Sequence, residues 1–277
     1  MQDSTGTHEI QEKGLDVRQD KEQDKGQGKV KKGPFLLSVL ENVEIAENVY
    51  QMTLEGVEAV QNSIPGQFVS VKCDGLVLRR PFSVARVGSN TFDLIYKVKG
   101  TGTAFMTELQ PGKTADVIGP MGNGFGIEDN NMLIIGCGVG IAPIDFLSDV
   151  LNERGIAHKT LACCKSKYKT DRNYDYYITE DGSSLIKGSL KDHFERIVRE
   201  SRPGKICICG PNPAMRYVTE FALKNGIDVE VALEGEFACG TGVCMGCAIK
   251  IIKNGIAENA RICKDGPVFK GEVIIWE

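Results

Sequence analysis

The chain has 277 residues, of which 42% are apolar and 25% charged, and its net charge is −4. That length allows about two or three domains with their own cores, and the mild acidity argues against nucleic acid as a partner. No apolar run is long enough to span a bilayer and the first residues lack the apolar core of a secretory signal, so the expectation is a cytoplasmic protein without a membrane partner.

Residues 1–33 are Gln, Lys, Asp, Glu and Gly with almost no large apolar side chain. Such a segment cannot offset the entropy of ordering, and a disordered polar tail is expected. From 34 to 127 the pattern is short, alternating segments broken by Gly, Pro and Asn. "QFVSVKC", "TFDLIYKV" and "TADVIGPM" read as strands with one buried face. Strands at such short spacing predict a small antiparallel β-barrel.

The character changes at "NMLIIGCGVGIAPIDFLSDVLNERGI", where an apolar strand meets a glycine turn and then a helix. Ile141, Ile144, Leu147, Val150 and Leu151 recur at helical spacing, Pro143 suits a first turn and Gly155 a stop. "KTLACC", "KICICGP" and "IDVEVALE" follow as strands, with "SLKDHFERIVRE" and "NPAMRYVTEFALKNG" as helices between them. The alternation predicts a parallel sheet over residues 128–232, of the nucleotide-binding α/β type. Residues 233–277 are too few for an independent core and are expected to form a module organised by cysteines.

The chain carries ten cysteines. Without an export signal these point to metal ligation or redox work rather than to structural disulfides. Cys163, Cys164, Cys207 and Cys209 lie in apolar runs and read as small core residues, as do Cys73 and Cys137. The last four differ: Cys239, Cys244, Cys247 and Cys263 read C-x4-C-x2-C-x15-C. The first three match plant-type [2Fe–2S] spacing, with a distant fourth thiolate. Gly240, Gly242 and Gly246 would give the backbone positive φ and aim amides at sulfur. A structural zinc site is the competing reading, although zinc ligands commonly pair as C-x2-C knuckles.

"LVLRRPFSVA" puts Arg80, Pro81, Phe82 and Ser83 together. A forked cation beside a rigid aromatic, with a hydroxyl close by, suits a diphosphate and a flat ring. Read alone, the stretch fits an exposed strand end equally well. Gly100, Gly102 and Thr103 precede the short helix "AFMTEL", where free amides could hold phosphate; a plain glycine turn is the alternative. "GCGVGIAP" is not a full G-x-G-x-x-G, yet Gly138 and Gly140 fall between strand and helix where a pyrophosphate can rest. "CGPNPAM" ends a later parallel strand. The basic stretch "KSKYKTDR" (165–172) could accept a 2′-phosphate or be solvated surface, leaving NAD against NADP open.

"RRPFSVA", "IYKVKGTGT", "GPMGNGF", "GCGVGIAP", "CGPNPAMR", "ACGTGVCMGC" and "CKDGPVF" occur in the order seen in the ferredoxin-reductase-like family. Over residues 34–277 the chain most resembles the electron-transfer subunits of NAD-dependent, type B dihydroorotate dehydrogenases. The resemblance implies an α/β fold with an N-terminal antiparallel barrel that binds FAD, a parallel-sheet NAD domain and a C-terminal [2Fe–2S] module. It implies FAD contacts from Arg80, Pro81, Phe82, Ser83, Ile95, Tyr96 and Lys97, with Gly102 and Thr103 at the diphosphate. NAD would meet Gly138, Gly140 and Gly210, with Cys209 near the nicotinamide and given no chemical role. Cys239, Cys244, Cys247 and Cys263 would ligate the cluster.

The implied partner is an FMN-containing dihydroorotate dehydrogenase catalytic subunit, in a heterotetramer of two of each. Electrons from its FMN would pass through the cluster and FAD to NAD+ in pyrimidine biosynthesis, and no side-chain acid, base or nucleophile is required here. His8, His158 and His193 read as surface or structural. Small subunits of ferredoxin–NADP transhydrogenases and sulfhydrogenases share the layout; some of them begin the cluster motif with Asp, so Cys239 favours the dihydroorotate reading. A zinc-stapled, non-catalytic module is a third possibility.

Overall fold

A computed structural model describes residues 33–60, 62–127 and 131–276. The expected polar tail (except Gly33), His8 and the expected boundary near 128 lie outside those residues. Six strands close the barrel: β1 (Phe35–Ala46), β2 (Val49–Glu55), β3 (Phe68–Val71), β4 (Arg80–Val87), β5 (Thr91–Lys97) and β6 (Thr114–Met121), in the order β1-β2-β5-β4-β3-β6. All neighbouring pairs are antiparallel. The period-two pattern does what it predicts: Leu37, Val39, Met52, Leu54, Phe92 and Leu94 fill the interior. Helix α1 (Thr101–Thr107) packs Met106 into that interior. Its last carbonyls are met by a buried amide: Asn42 Nδ2 donates to Met106 O at 2.8 Å and Leu109 O at 3.2 Å, while Tyr96 Oη donates to Asn42 Oδ1 at 2.9 Å.

The second layer system begins with β7 (Met132–Cys137), α2 (Ile141–Glu153) and β8 (His158–Cys164). It continues through β9 (Tyr176–Thr179), β10 (Ile186–Lys187), α3 (Leu190–Ser201), β11 (Lys205–Cys209), α4 (Asn212–Lys224) and β12 (Asp228–Ala232). These strands are parallel, in the order β10-β9-β8-β7-β11-β12. The order reverses between β7 and β11, and in open α/β sheets ligands gather at the carboxyl ends beside such a switch. Ile141, Ile144, Leu147 and Leu151 of α2 are all buried, whereas Val150 is only partly so.

Three features depart from the reading of the sequence. Strands β9 and β10 extend the sheet edge where none was assigned. After the thiol loop, β13 (Ala248–Lys253) and β14 (Ile256–Arg261) form a hairpin closed by Asn254-Gly255, both at positive φ (51° and 78°). The short helix α5 (Ile262–Asp265) follows, and then β15 (Val268–Lys270) returns to pair antiparallel with β12, giving the sheet seven strands. The C-terminal segment therefore does not stay apart, because the open edge of β12 offers unpaired backbone groups that β15 satisfies. Asn123 of "GPMGNGF" fixes this return through both amide atoms, accepting from Val268 N at 2.9 Å and donating to Val268 O at 2.8 Å.

Barrel and sheet share an apolar seam that includes Ile45, Ala85, Ile95, Ala142 and Tyr168. Beside it sits Asp145 of α2, only 4% exposed, with its carboxyl pushed up to about 7 by burial from an ordinary value of 3.8. Between those two values the folded chain holds a proton the unfolded chain has released, so this group's contribution to stability falls as pH rises from about 4 to about 7. Asp145→Asn should match the wild type in thermal unfolding near pH 4–5 and exceed it at pH 8, by roughly 2–4 kcal/mol. Parallel melting curves across that range would refute the assignment.

Candidate functional site

A cavity of about 550 Å3 opens where the barrel, α2 and the segment after β12 meet. All nine residues expected at the flavin line it: Arg80, Pro81, Phe82 and Ser83 from the start of β4, Ile95, Tyr96 and Lys97 from the end of β5, and Gly102 and Thr103 from α1. Its aromatic wall is built in depth, with Tyr50 stacked on Tyr96 at 5.6 Å and Phe82 edge-on to Tyr96 at 5.8 Å. At the other end Arg80 lies across the start of α1. A Cβ on Gly102 would come within 2.8 Å of Arg80 Nε, so the glycine is what lets the guanidinium settle there. A flat aromatic slot ending in Arg80 and Lys99 suits a planar ring joined to a diphosphate, and the residues present fit FAD.

Two details refine the expectation for α1. The helix starts at Thr101, placing Gly102 and Thr103 inside its first turn. The Thr103 hydroxyl also accepts from Lys99 N at 2.8 Å and Gly100 N at 3.2 Å, so it closes the helix start in addition to lining the cavity.

The nucleotide turns show a division of labour. Gly138 (φ 58°) has open space around its Cα, as a resting place for a ligand requires. Gly140 does not: a Cβ there would lie 2.4 Å from Cys209 O, and one on Gly210 would lie 2.6 Å from Cys137 Cβ. The turns after β7 and β11 thus pack backbone to backbone, and Gly140 is required for that contact. Cys209 is buried, and burial holds its thiol well above its ordinary value, so it is a neutral thiol. Within 165–172, Tyr168 is buried, the Lys169 backbone N donates to Ile45 O at 2.7 Å and Arg172 is paired with Asp149, while the side chains of Lys165, Lys167 and Lys169 are exposed. Among the described residues, His158 bonds to Ser148 Oγ and Ile156 O, and His193 to Lys187 O, in keeping with structural roles.

Glu234 is a residue that sequence reasoning passed over. It borders the flavin-type cavity and also a second one of about 470 Å3 beneath the β13–β14 hairpin. Its side chain is exposed, yet the surrounding protein disfavours its charge. Burial raises its carboxyl above the ordinary range, with Lys99 opposing. No spacing motif marks such a residue; only the folded cavity does.

Phe237 lines the cavity and Cys239 is the first thiol of the loop, two residues on, so their Cα atoms lie within about 7 Å. The four cysteines are brought together as two pairs. Cys239 Sγ and Cys244 Sγ are 3.2 Å apart, and Cys263 N donates to Cys247 Sγ at 3.4 Å, with the two thiols of that second pair in contact. Among the described residues no three His, Cys, Asp or Glu converge as ligands of one ion. Four thiols around a glycine-rich loop fit a [2Fe–2S] centre, which takes four thiolate ligands, and Cys239, Cys244, Cys247 and Cys263 would hold it.

The loop also supplies amides. Cys244 N points at Cys239 Sγ and Gly246 N at Cys244 Sγ, each at 3.4 Å. The amides of Cys244 and Thr241 hold the Cys239 thiol down to about 5, whereas burial and Cys247 push Cys263 up to about 11. Gly240 and Gly242 take φ of 66° and 81°. Gly246 is not among the positive-φ residues, contrary to expectation; it is needed for space, since a Cβ would lie 3.0 Å from Ala238 Cβ.

The family description "iron–sulfur cluster binding domain of dihydroorotate dehydrogenase B" matches residues 234–275. Over the longer chain, the electron transfer subunit of dihydroorotate dehydrogenase B (NAD(+)) from Caldanaerobacter subterraneus subsp. tengcongensis is 33% identical across 247 residues, 86% of this chain and 97% of that one. The equivalent subunit of Fusobacterium nucleatum subsp. nucleatum is 34% identical, covering 84% and 95%. Among solved structures, an NADH-dependent reduced ferredoxin–NADP oxidoreductase aligns with a TM-score of 0.77 at 28% identity, covering 88% of this chain and 91% of its own. Phthalate dioxygenase reductase shares the fold, at a TM-score of 0.55 and 13% identity over 83% of this chain and 77% of its own. With a third of its residues identical along almost the whole of such relatives, the chain belongs to the family of dihydroorotate dehydrogenase B (NAD(+)) electron transfer subunits.

Proposed function

We propose that this chain takes electrons from an FMN-containing partner that oxidises dihydroorotate and delivers them to NAD+. The observation that carries the reading is the continuity of the segment 233–239, which lines the flavin-type cavity at one end and opens the thiol loop at the other. When bound, FAD and a [2Fe–2S] centre supply the electron chemistry, joining one-electron traffic on the partner's side to a hydride on the nucleotide's. The chain's own residues bind, orient and, at Glu234, hold a proton beside the cavity. Arg80 and Lys99 would hold the diphosphate, the Phe82–Tyr96 wall the ring, and the open turn at Gly138 the dinucleotide, with Cys239, Cys244, Cys247 and Cys263 as cluster ligands.

Val243 and Met245, 86% and 53% exposed, flank Cys244 and give the loop an apolar face for the partner. The engagement of Arg172 by Asp149 and Asp145 removes the strongest 2′-phosphate ligand from 165–172, which supports NAD over NADP. A reducing cytoplasm is the compartment such thiols suit, and no helix among the described residues is long and apolar enough to cross a membrane.

Purified with the FMN-type subunit, as a two-plus-two assembly, the chain should confer dihydroorotate-dependent NAD+ reduction. The likeness to the ferredoxin–NADP oxidoreductase favours a second reading, a transhydrogenase subunit. Activity that requires reduced ferredoxin and ignores dihydroorotate would replace the first reading with that one.

A further inference from the structure

A charged cluster lies along two elements that both begin at the flavin-type cavity. Strand β4 enters the cavity with Arg80–Ser83 and carries Arg86 beyond it; α2 enters with Ala142 and carries Asp145 and Asp149 beyond it. Two consecutive residues of the strap after β8 bridge them. Arg86 Nη2 donates to both oxygens of Asp171, at 3.0 and 3.2 Å. Arg172 forks onto Asp149, with Nη2 2.6 Å from Oδ2, and its Nε lies 3.8 Å from Asp145 Oδ2. Tyr174 Oη donates to Asp145 Oδ1 at 2.9 Å.

The apolar seam beside this cluster mixes small residues with Ile45, Ile95, Ile141 and Tyr168, and Phe146 of α2 packs into the barrel core, so apolar contact holds the helix on the barrel. The ion bridges add directional contacts to that packing. Lifting Arg172 away would leave Asp149 without its forked cation and, above about pH 7 where Asp145 is ionised, a second and almost fully buried carboxylate beside it. A buried charge stripped of its partner is strongly penalised, so the cluster favours the arrangement in which Arg172 is seated. The Arg86–Asp171 half is more exposed, 35% and 70%, and weaker; its value lies in fixing the strap to the very strand that holds the flavin site.

We propose that Arg172, seconded by Asp171, is a positioning residue for hydride transfer: it helps lock α2 to β4 so that the nicotinamide of a dinucleotide resting on the Gly138 turn meets the flavin ring in one register. This rests on the flavin–nicotinamide reading above. In the direction convenient for assay, NADH gives a hydride to FAD and a proton comes from solvent, leaving NAD+ and the two-electron-reduced flavin.

The test uses the full chain carrying FAD and cluster, mixed anaerobically with NADH while flavin bleaching is followed. Arg172→Gln should slow bleaching at saturating NADH by about tenfold or more, with half-saturating NADH within about twofold and FAD content unchanged. Amide exchange should quicken across residues 165–175 and the start of α2. Arg172→Lys should recover part of the rate and of the protection, having charge without the fork. Arg86→Met, at the exposed end, should shift rate and exchange the same way by less, and it carries the test should Arg172→Gln not fold. Faster exchange with unchanged bleaching would make the clasp merely structural, and slowing only through weaker NADH binding would equally overturn the proposal. Wild-type flavin that NADH does not bleach would remove the functional reading itself.

Discussion

Replacing Cys244 with serine is expected to abolish dihydroorotate-dependent NAD+ reduction by the assembled complex, a loss beyond about 100-fold, while FAD stays bound and NADH still reduces a soluble oxidant such as ferricyanide. Loss of support around a metal site already costs 10–100-fold, and removal of a ligand should exceed it. Cys244 is the informative choice. Cys247 and Cys263 belong to the main hydrophobic core, so their replacement would confound ligation with folding. Cys244 is only partly buried, pairs with Cys239 at 3.2 Å and receives the Gly246 amide. The cavity-lining residues Leu233–Phe237 precede the loop and are held separately, by Leu233 N donating to Pro267 O and by the edge-on contact of Phe237 with Phe68. Iron content, the visible spectrum and the two activities together decide the matter. Simultaneous loss of flavin and cluster would mean that the thiol loop is part of the flavin site rather than its neighbour.

What was legible in the sequence follows from where information is local. Strand alternation in β5 and β6, the helical stripe of α2 and the glycine turn after β7 are each set within about a dozen residues, and those elements form as read. The hairpin β13–β14 was equally local, since Asn254-Gly255 between apolar runs is a strong turn signal. It was overshadowed by the thiols beside it. Strands β9 and β10 carry little signal of their own, four and two residues long; β9 pairs on the edge of β8, and β10 on the edge of β9.

The site divides along the same line. The C-x4-C-x2-C run and Arg80–Ser83 are contiguous motifs, and the structure brings each set together. What the sequence could not convey was opposition across space. Gly140 lies against Cys209 O, and Arg172 of an apparently solvated basic stretch is drawn between two carboxylates of α2. The separation of four evenly promising thiols into two pairs also appears only when the loop is folded back on Cys263.

Glu234 sets the second large expectation. Electrons that arrive through a metal cluster bring no protons, yet NAD+ + 2e− + H+ gives NADH, so one proton must enter the flavin-type cavity for each turnover. Among the titratable side chains on that wall, Glu234 is the one whose carboxyl is raised by burial, which lets its Oε atoms hold a proton at a higher pH than an ordinary glutamate. Tyr96 is an unsuitable donor, because burial lifts its hydroxyl far out of range and that hydroxyl is committed to Asn42. Glu234→Gln preserves shape and removes the exchangeable acid. NAD+ reduction should fall by about 100-fold, the lower end of what general acid–base groups contribute, with FAD content and unfolding temperature little changed. The sign of the pH dependence is fixed by the same shift. In the wild type the rate should decline as pH rises through the raised value and the donor form is lost, whereas the glutamine variant should be slow and flat across that limb. A variant within threefold of wild type that keeps the limb would mean the proton reaches the cavity by a water path that bypasses Glu234.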